Sequence, residues 1–264
     1  LRVNPDITIG SHKYIETGSK TSKFGLDDES IEKISKISKD YKLINIVAVA
    51  CHIGSQISNE SLILKSLECI KDVASKLEQD GHKIEFLDIG GGLGISYKDE
   101  DAGDPKILLT KVKGILEDTD YKIILEPGRS IVGTSGILVT KIEYIKDAGD
   151  KRFAIIDAGM NDLIRPSLYE AWHRVKELEE KDLVKENYDL AGPVCETGDV
   201  LAKDRELRIT TGDYVAFMDV GAYGSVMSSN YNSRLKPIEL LVTDDKVKVI
   251  KRKESFEDMI ALES

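Results

Sequence analysis

The chain has 264 residues, enough to bury a sizeable core in one or two domains, and with 41% hydrophobic and 32% charged residues it is neither disordered, fibrous nor of low complexity. Its formal net charge of -10, with acidic and basic residues intermixed along the length, disfavours nucleic acid as a partner. No apolar run reaches the roughly 18 residues of a membrane span, so no membrane partner is expected. The N-terminus lacks the basic-then-apolar pattern of a signal peptide, and Cys51, Cys69 and Cys195 are odd in number and show no paired spacing. Reduced thiols in a cytoplasmic protein are the expectation. The first residue is Leu1 rather than methionine, so a start further upstream is expected.

In chain order, residues 1–3 read as the end of a strand. Ile31, Ile34 and Ile37 mark the apolar stripe of a helix, and residues 44–50 form a β-branched run suited to a strand buried on both faces. Leu64, Leu67, Ile70, Val73 and Leu77 predict a second helix, and residues 84–89 a third strand. A third helix over residues 107–116 is opened by Pro105, and residues 123–125 form a fourth strand. Strand and helix alternate without hairpin signals, which predicts parallel βαβ connections.

Past Ile131 the pattern changes to strand-like segments at residues 136–145, 153–157, 188–191, 214–219 and 238–249, with short helices at 168–178 and 256–262. The predicted division is therefore an α/β domain over residues 1–130 and a mostly antiparallel β domain over residues 131–264. An eight-stranded (β/α) barrel needs about 250 residues, so the first domain has the size of half a barrel.

The polar and glycine-rich segments follow the strands of the first half: Cys51 to Gln56, Asp88 to Gly94, and Glu126 to Arg129. Parallel α/β folds place their active sites at these strand ends. Gly90, Gly91 and Gly92 allow backbone N–H groups to approach an anion, as in a phosphate cradle, or make a flexible turn; the triplet alone leaves both open. It lacks the Lys-Ser/Thr ending of a nucleotide-hydrolysing P-loop. Taken singly, Glu126 and Arg129 read as a structural ion pair and His52 as a structural histidine. Together they offer an anion cradle, a flat imidazole and a carboxylate able to hold a pyridinium proton, which are the requirements of pyridoxal phosphate.

These segments resemble the fold-type III pyridoxal-phosphate decarboxylases, the alanine-racemase-like barrel family, over essentially the whole chain. The resemblance implies the second half of a (β/α)8 barrel followed by a β-barrel domain. It implies that His52 stacks on the cofactor ring, that Ser55, Gly90, Gly91 and Gly92 lie at the phosphate, and that Glu126 keeps the pyridine nitrogen protonated, with Arg129 as a neighbouring anion-binding residue for cofactor and substrate. Residues 160–169, MNDLIRPSLY, resemble the diaminopimelate-decarboxylase branch of the family and imply that Arg165 and Tyr169 bind the substrate carboxylate remote from the reaction. An arginine fork suits a planar carboxylate.

Residues 192–197, GPVCET, resemble a G-P-x-C-E-S segment that reaches into the partner subunit's site, Thr197 standing where serine is commoner. By that match Cys195 is the catalytic proton donor, Glu196 binds the distal ammonium of the substrate, and the protein is a homodimer with shared sites. Within residues 219–224, DVGAYG, Tyr223 corresponds to a tyrosine beside the cofactor phosphate. No metal ligands are expected, and His12, His82 and His173 match none of these motifs.

The family's cofactor-anchoring lysine lies in a Y-A-x-K-A-N segment that does not occur here, and Lys13 and Lys20 have other surroundings. The lysine and the first barrel strands are expected upstream of Leu1. The expected activity is decarboxylation of meso-diaminopimelate to L-lysine in a soluble, cytoplasmic enzyme. A related decarboxylase acting on another diamino acid or carboxylated polyamine, and a non-catalytic protein built on the same fold, are the alternatives.

Overall fold

The protein is described by a computed structural model covering residues 1–10, 17–18, 22–100 and 102–263; His12, Lys13 and Lys20 lie outside the described residues. The chain divides into two compact units, Leu1–Ile131 and Val132–Ser264.

In the first unit, helix α1 (Asp28–Ser38) starts where the Asp27 carboxylate accepts from the Ser30 N–H at 2.9 Å, with Asp28 and Glu29 in the first turn favouring the positive end of the helix dipole. Strand β1 (Ala48–Ala50) leads to α2 (Glu60–Gln79), capped by Asn59. Strand β2 (Phe86–Asp88), α3 (Pro105–Ile115), β3 (Lys122–Ile124) and the single turn α4 (Arg129–Val132) follow. Asp104 caps α3, and Pro105 sits where a helix needs no N–H. The three strands are parallel in the order β1-β2-β3, with Val49 opposite Leu87 and Leu87 opposite Ile123. The first residues of the chain lie parallel to β1: the Val3 N–H donates to the Ala50 carbonyl, and the Ala50 N–H to that of Leu1, both at 2.7 Å. Ile63, Leu67, Ile70 and Leu77 of α2 are buried in one core with Val49 and Leu87.

Two local expectations are corrected here. The strand predicted over residues 44–50 shrinks to Ala48–Ala50, because Ile44 belongs to the turn that follows α1, its N–H donating to the Tyr41 carbonyl; Ile44 and Val47 are exposed. The buried stripe of α1 runs through Ile31, Ser35 and Ser38, while Ile37 is 54% exposed. A strict three-residue spacing drifts off the face of a 3.6-residue helix, and two serines occupy the positions that stay on it.

In the second unit, β4 (Leu138–Ala148) and β5 (Lys151–Ile156) form an antiparallel hairpin. They are followed by α5 (Arg165–Tyr169), β6 (Val175–Glu177), β7 (Glu186–Ala191), β8 (Val200–Leu207) and β9 (Tyr214–Phe217). Strands β10 (Glu239–Thr243) and β11 (Lys246–Lys251) form a separate ribbon, and α6 (Phe256–Met259) closes the unit behind a reciprocal Ser255–Asp258 cap. The main sheet runs β6-β9-β4-β5-β7-β8, antiparallel except for the parallel pair β5 and β7. Its outer strands β6 and β8 approach each other, and the Glu177 carboxylate accepts from the Arg208 N–H. Ile142, Ile156, Leu190 and Phe217 fill the core.

The helix predicted over residues 168–178 is instead the five residues of α5: Glu170 turns left-handed at φ 53°, and β6 follows. Strands β6 and β8 have no counterpart in the sequence reading. In β8 the charged run Lys203, Asp204, Arg205, Glu206 masks alternation, and Asp204 sits at φ 54° where the pairing with β7 shifts register.

Leu67 is fully buried and Leu43 is 97% exposed. Leu67→Ala is expected to cost about 3 kcal/mol in urea unfolding and Leu43→Ala less than about 0.5 kcal/mol. Equal losses would contradict this assignment of the core.

Candidate active site

Three loops meet beyond the C-terminal ends of β1, β2 and β3. They are joined by backbone bonds: the Cys51 N–H donates to the Asp88 carbonyl at 2.8 Å, and the Glu126 N–H to that of Gly90 at 2.9 Å. The glycines make this convergence possible. A Cβ on Gly91 would stand 2.1 Å from the Glu126 carbonyl oxygen, and one on Gly92, whose φ is +100°, would stand 2.2 Å from that of Gly54. The triplet is therefore a packing requirement rather than a flexible turn. It is not a cradle of three outward amides either, because the Gly90 N–H donates to the Asp88 carboxylate at 2.8 Å and the Gly91 N–H to His52 Nδ1 at 3.1 Å.

That last bond places a lone pair on His52 Nδ1, so the neutral ring carries its proton on Nε2. His52 is half-buried, and its main-chain carbonyl accepts from the Thr17 hydroxyl at 2.7 Å. Burial lowers the His52 pKa from the ordinary histidine value and the Arg2 charge adds to this, against opposition from Glu126 and Asp88. Arg129 is buried at the start of α4, its guanidinium donating to the Tyr97 hydroxyl at 2.5 Å and to the Ser55 hydroxyl at 3.1 Å. Glu126 stands exposed on the third loop. His52, Ser55, Gly90, Gly91, Gly92, Glu126 and Arg129 thus form one cluster within the first unit.

In the second unit Asp199 ties together the segments that carry the remaining predicted residues other than Tyr223. This buried carboxylate accepts from the Met160 N–H at 2.6 Å and the Val194 N–H at 2.7 Å, while burial pushes its carboxyl pKa up against those bonds. It joins the segment leading to α5 to the loop carrying Cys195 and Glu196. The Ser167 hydroxyl adds a bond of 2.7 Å to the Gly198 carbonyl. Cys195 and Glu196 are exposed at the crest of this loop, and the Glu196 carboxylate accepts from the Tyr231 hydroxyl at 2.6 Å. Arg165 is buried, and Tyr169 lies one turn further along α5. Tyr223 is 40% exposed with left-handed backbone, φ 60°, in the segment that follows β9.

Sequence reasoning passed over Tyr97, Asp199 and Tyr231, which hold Arg129, the Cys195 loop and Glu196. None lies in a quoted motif; the one signal available for Asp199 was its place two residues beyond Thr197. It also set aside His173, which is fully buried and in contact with Arg165.

The folded chain takes up the His52 proton later than the unfolded chain does, so this group favours the fold above the ordinary histidine range and that contribution is lost as pH falls through the depressed folded value. The His52 ring resonances, assigned by their loss in His52→Gln, are expected to titrate with a midpoint below 6.5. Arg2→Met is expected to raise that midpoint without fully restoring it, since burial is the larger cause. A midpoint at or above the ordinary value would overturn this account of the ring.

A profile of the family described as "Pyridoxal-dependent decarboxylase, pyridoxal binding domain" matches residues 1–133. The diaminopimelate decarboxylase of Aquifex aeolicus is 46% identical over 98% of this chain and 62% of its own length; that of Pseudomonas aeruginosa is 43% identical over 100% and 64%. The crystal structure of diaminopimelate decarboxylase from Helicobacter pylori complexed with L-lysine superposes with a TM-score of 0.94 at 40% identity, over 99% of this chain and 66% of that one. The chain thus spans a little under two thirds of the length of these relatives. With a family profile over the whole first unit and close relatives along both, the chain belongs to the pyridoxal-dependent decarboxylases.

Proposed function

We propose that this chain is the larger part of a diaminopimelate decarboxylase, which releases carbon dioxide from meso-diaminopimelate and yields L-lysine. The observation that carries the reading is similarity to diaminopimelate decarboxylases along both units, with the Helicobacter pylori relative complexed with L-lysine. In this reading β1, β2, β3 and the extended residues 1–3 are later strands of a (β/α)8 barrel. The anchoring lysine belongs to the third of the relatives' length that this chain does not span.

The residues fit pyridoxal phosphate on observations of the first unit. Glycines whose Cβ would strike neighbouring backbone leave His52 ring, Glu126 carboxylate and buried Arg129 guanidinium in one cluster. When bound, the cofactor supplies an electron sink for the bond to the leaving carboxylate. His52 would flank its ring as a neutral imidazole, and Glu126 would hold a proton at its pyridine nitrogen. Ser55, Gly92 and Arg129 would face its anionic groups, Gly90 and Gly91 having committed their N–H groups within the protein.

Arg165 and Tyr169 would take the carboxylate that is retained, and Glu196 the distal ammonium. Cys195 would deliver a proton to the carbon that loses carbon dioxide. The exposed crest bearing Cys195 and Glu196 supports a homodimer in which this loop completes the partner's site. Three free thiols support a cytoplasmic setting; among the described residues no helix is long and apolar enough to cross a membrane.

In protein produced from the complete gene, Arg165→Lys is expected to raise KM for diaminopimelate at least about tenfold, because a point charge replaces a fork, while affinity for pyridoxal phosphate is unchanged. An unaltered KM would remove Arg165 from the site. Mixing Cys195→Ala with Glu126→Gln, each inactive as a homodimer, is expected to restore part of the activity through hybrids containing one intact site. A mixture as inactive as its components would defeat the shared-site arrangement.

A further inference from the structure

His173 lies between α5 and β6 and has no exposed surface. Its Nε2 is 2.7 Å from Arg165 Nη1, and its Nδ1 is 2.8 Å from the Met218 carbonyl oxygen. A guanidinium can only donate, so Nε2 must accept, the proton must reside on Nδ1, and that N–H must donate to Met218. Both contacts are thereby satisfied by one neutral tautomer. The anchor is itself fixed, because the Met218 N–H donates to the Arg174 carbonyl at 2.8 Å, closing a two-way link between residues 173–174 and the end of β9.

We propose that His173 is a positioning residue for Arg165, setting the roll of the guanidinium plane and so the direction in which its fork meets the substrate carboxylate. This rests on the reading of Arg165 given above. The imidazole suits the task by its neutrality. A carboxylate at this place would orient the guanidinium equally well, but it would offset the positive charge and compete with the substrate for the same donors. A neutral acceptor fixes the geometry and withdraws none of the charge. With the imidazole anchored on a backbone carbonyl, Arg165 is held ready before substrate arrives, and the loss of side-chain freedom on binding is reduced.

Two polar substitutions separate positioning from simple structural support. Glutamine places an amide near Nε2 and can still accept from Arg165; asparagine places one near Nδ1 and can still donate to Met218. In holoenzyme produced from the complete gene, His173→Asn is expected to raise both KM for diaminopimelate and the calorimetric Kd for L-lysine about tenfold, with kcat within about threefold of the unsubstituted enzyme. His173→Gln is expected to stay within about threefold in all three. If asparagine is tolerated, if glutamine is as damaging as asparagine, or if the loss falls on kcat instead of KM, His173 does not position Arg165. Arg165→Lys is the control. Lysine binding lost in Arg165→Lys but retained in His173→Asn defeats the positioning alone, whereas lysine binding retained in Arg165→Lys defeats the underlying reading of Arg165 as well.

Discussion

Backbone crowding at the ends of the parallel strands is the constraint on which the first unit depends. The loop after β2 is threaded so closely between its neighbours that a single carbon atom on Gly91 or Gly92 would overlap a carbonyl oxygen of the loop on either side. Such proximity lets an amide of one loop bond the imidazole of another, and brings Ser55, Tyr97 and Arg129 within hydrogen-bonding reach although they are far apart in sequence. The loops that carry these side chains are positioned against one another by main chain, which has few soft torsions.

The second unit reaches a similar end by other means. A buried carboxylate, Asp199, gathers backbone amides from two segments, and Arg234 donates to the Asn161 side chain at 2.8 Å and to the Asp157 carbonyl at 2.6 Å. Burying an acid here is tolerable because its oxygens meet donors; removing those donors would leave an unsatisfied charge in a dry place. The cost of burial is visible in the raised pKa of Asp199, and the same cause, burial, raises that of Asp162 nearby.

Much of this was legible in the residues. Repeated strand-then-helix patterning foretold the parallel order of β1, β2 and β3, and the motif segments stood where such folds put their chemistry. What escaped was decided by neighbours distant in the chain. Ile37 looks like core and is exposed, because Ser35, whose hydroxyl donates to the Asp80 carboxylate at 2.6 Å, and Ser38, whose hydroxyl donates to the Ser35 carbonyl at 3.0 Å, take the inner face of α1. Strand β6 is three residues long and exists only as an edge to β9. The roles of Gly90 and Gly91 turned on where their amides point, which no composition reveals. His173 was set aside for lack of a motif, and its significance comes from a contact across a left-handed turn that local pattern does not encode.

The lone parallel pair in the large sheet has a consequence for how this unit tolerates change. Antiparallel neighbours can be joined by a tight hairpin, but β5 and β7 run the same way, so the chain must cross over after Ile156, supplying β6 at the far edge of the sheet, before it returns beside β5 at Glu186. Arg165, Tyr169 and His173 all ride on that excursion. Lengthening a connection costs little in closure entropy, each doubling adding only about 0.6 kcal/mol. Residues can thus be gained or lost in the loops on either side of β6 with the ladder of β5 and β7 untouched, so the stretch that carries Arg165, Tyr169 and His173 can change length without disturbing the framework beneath it.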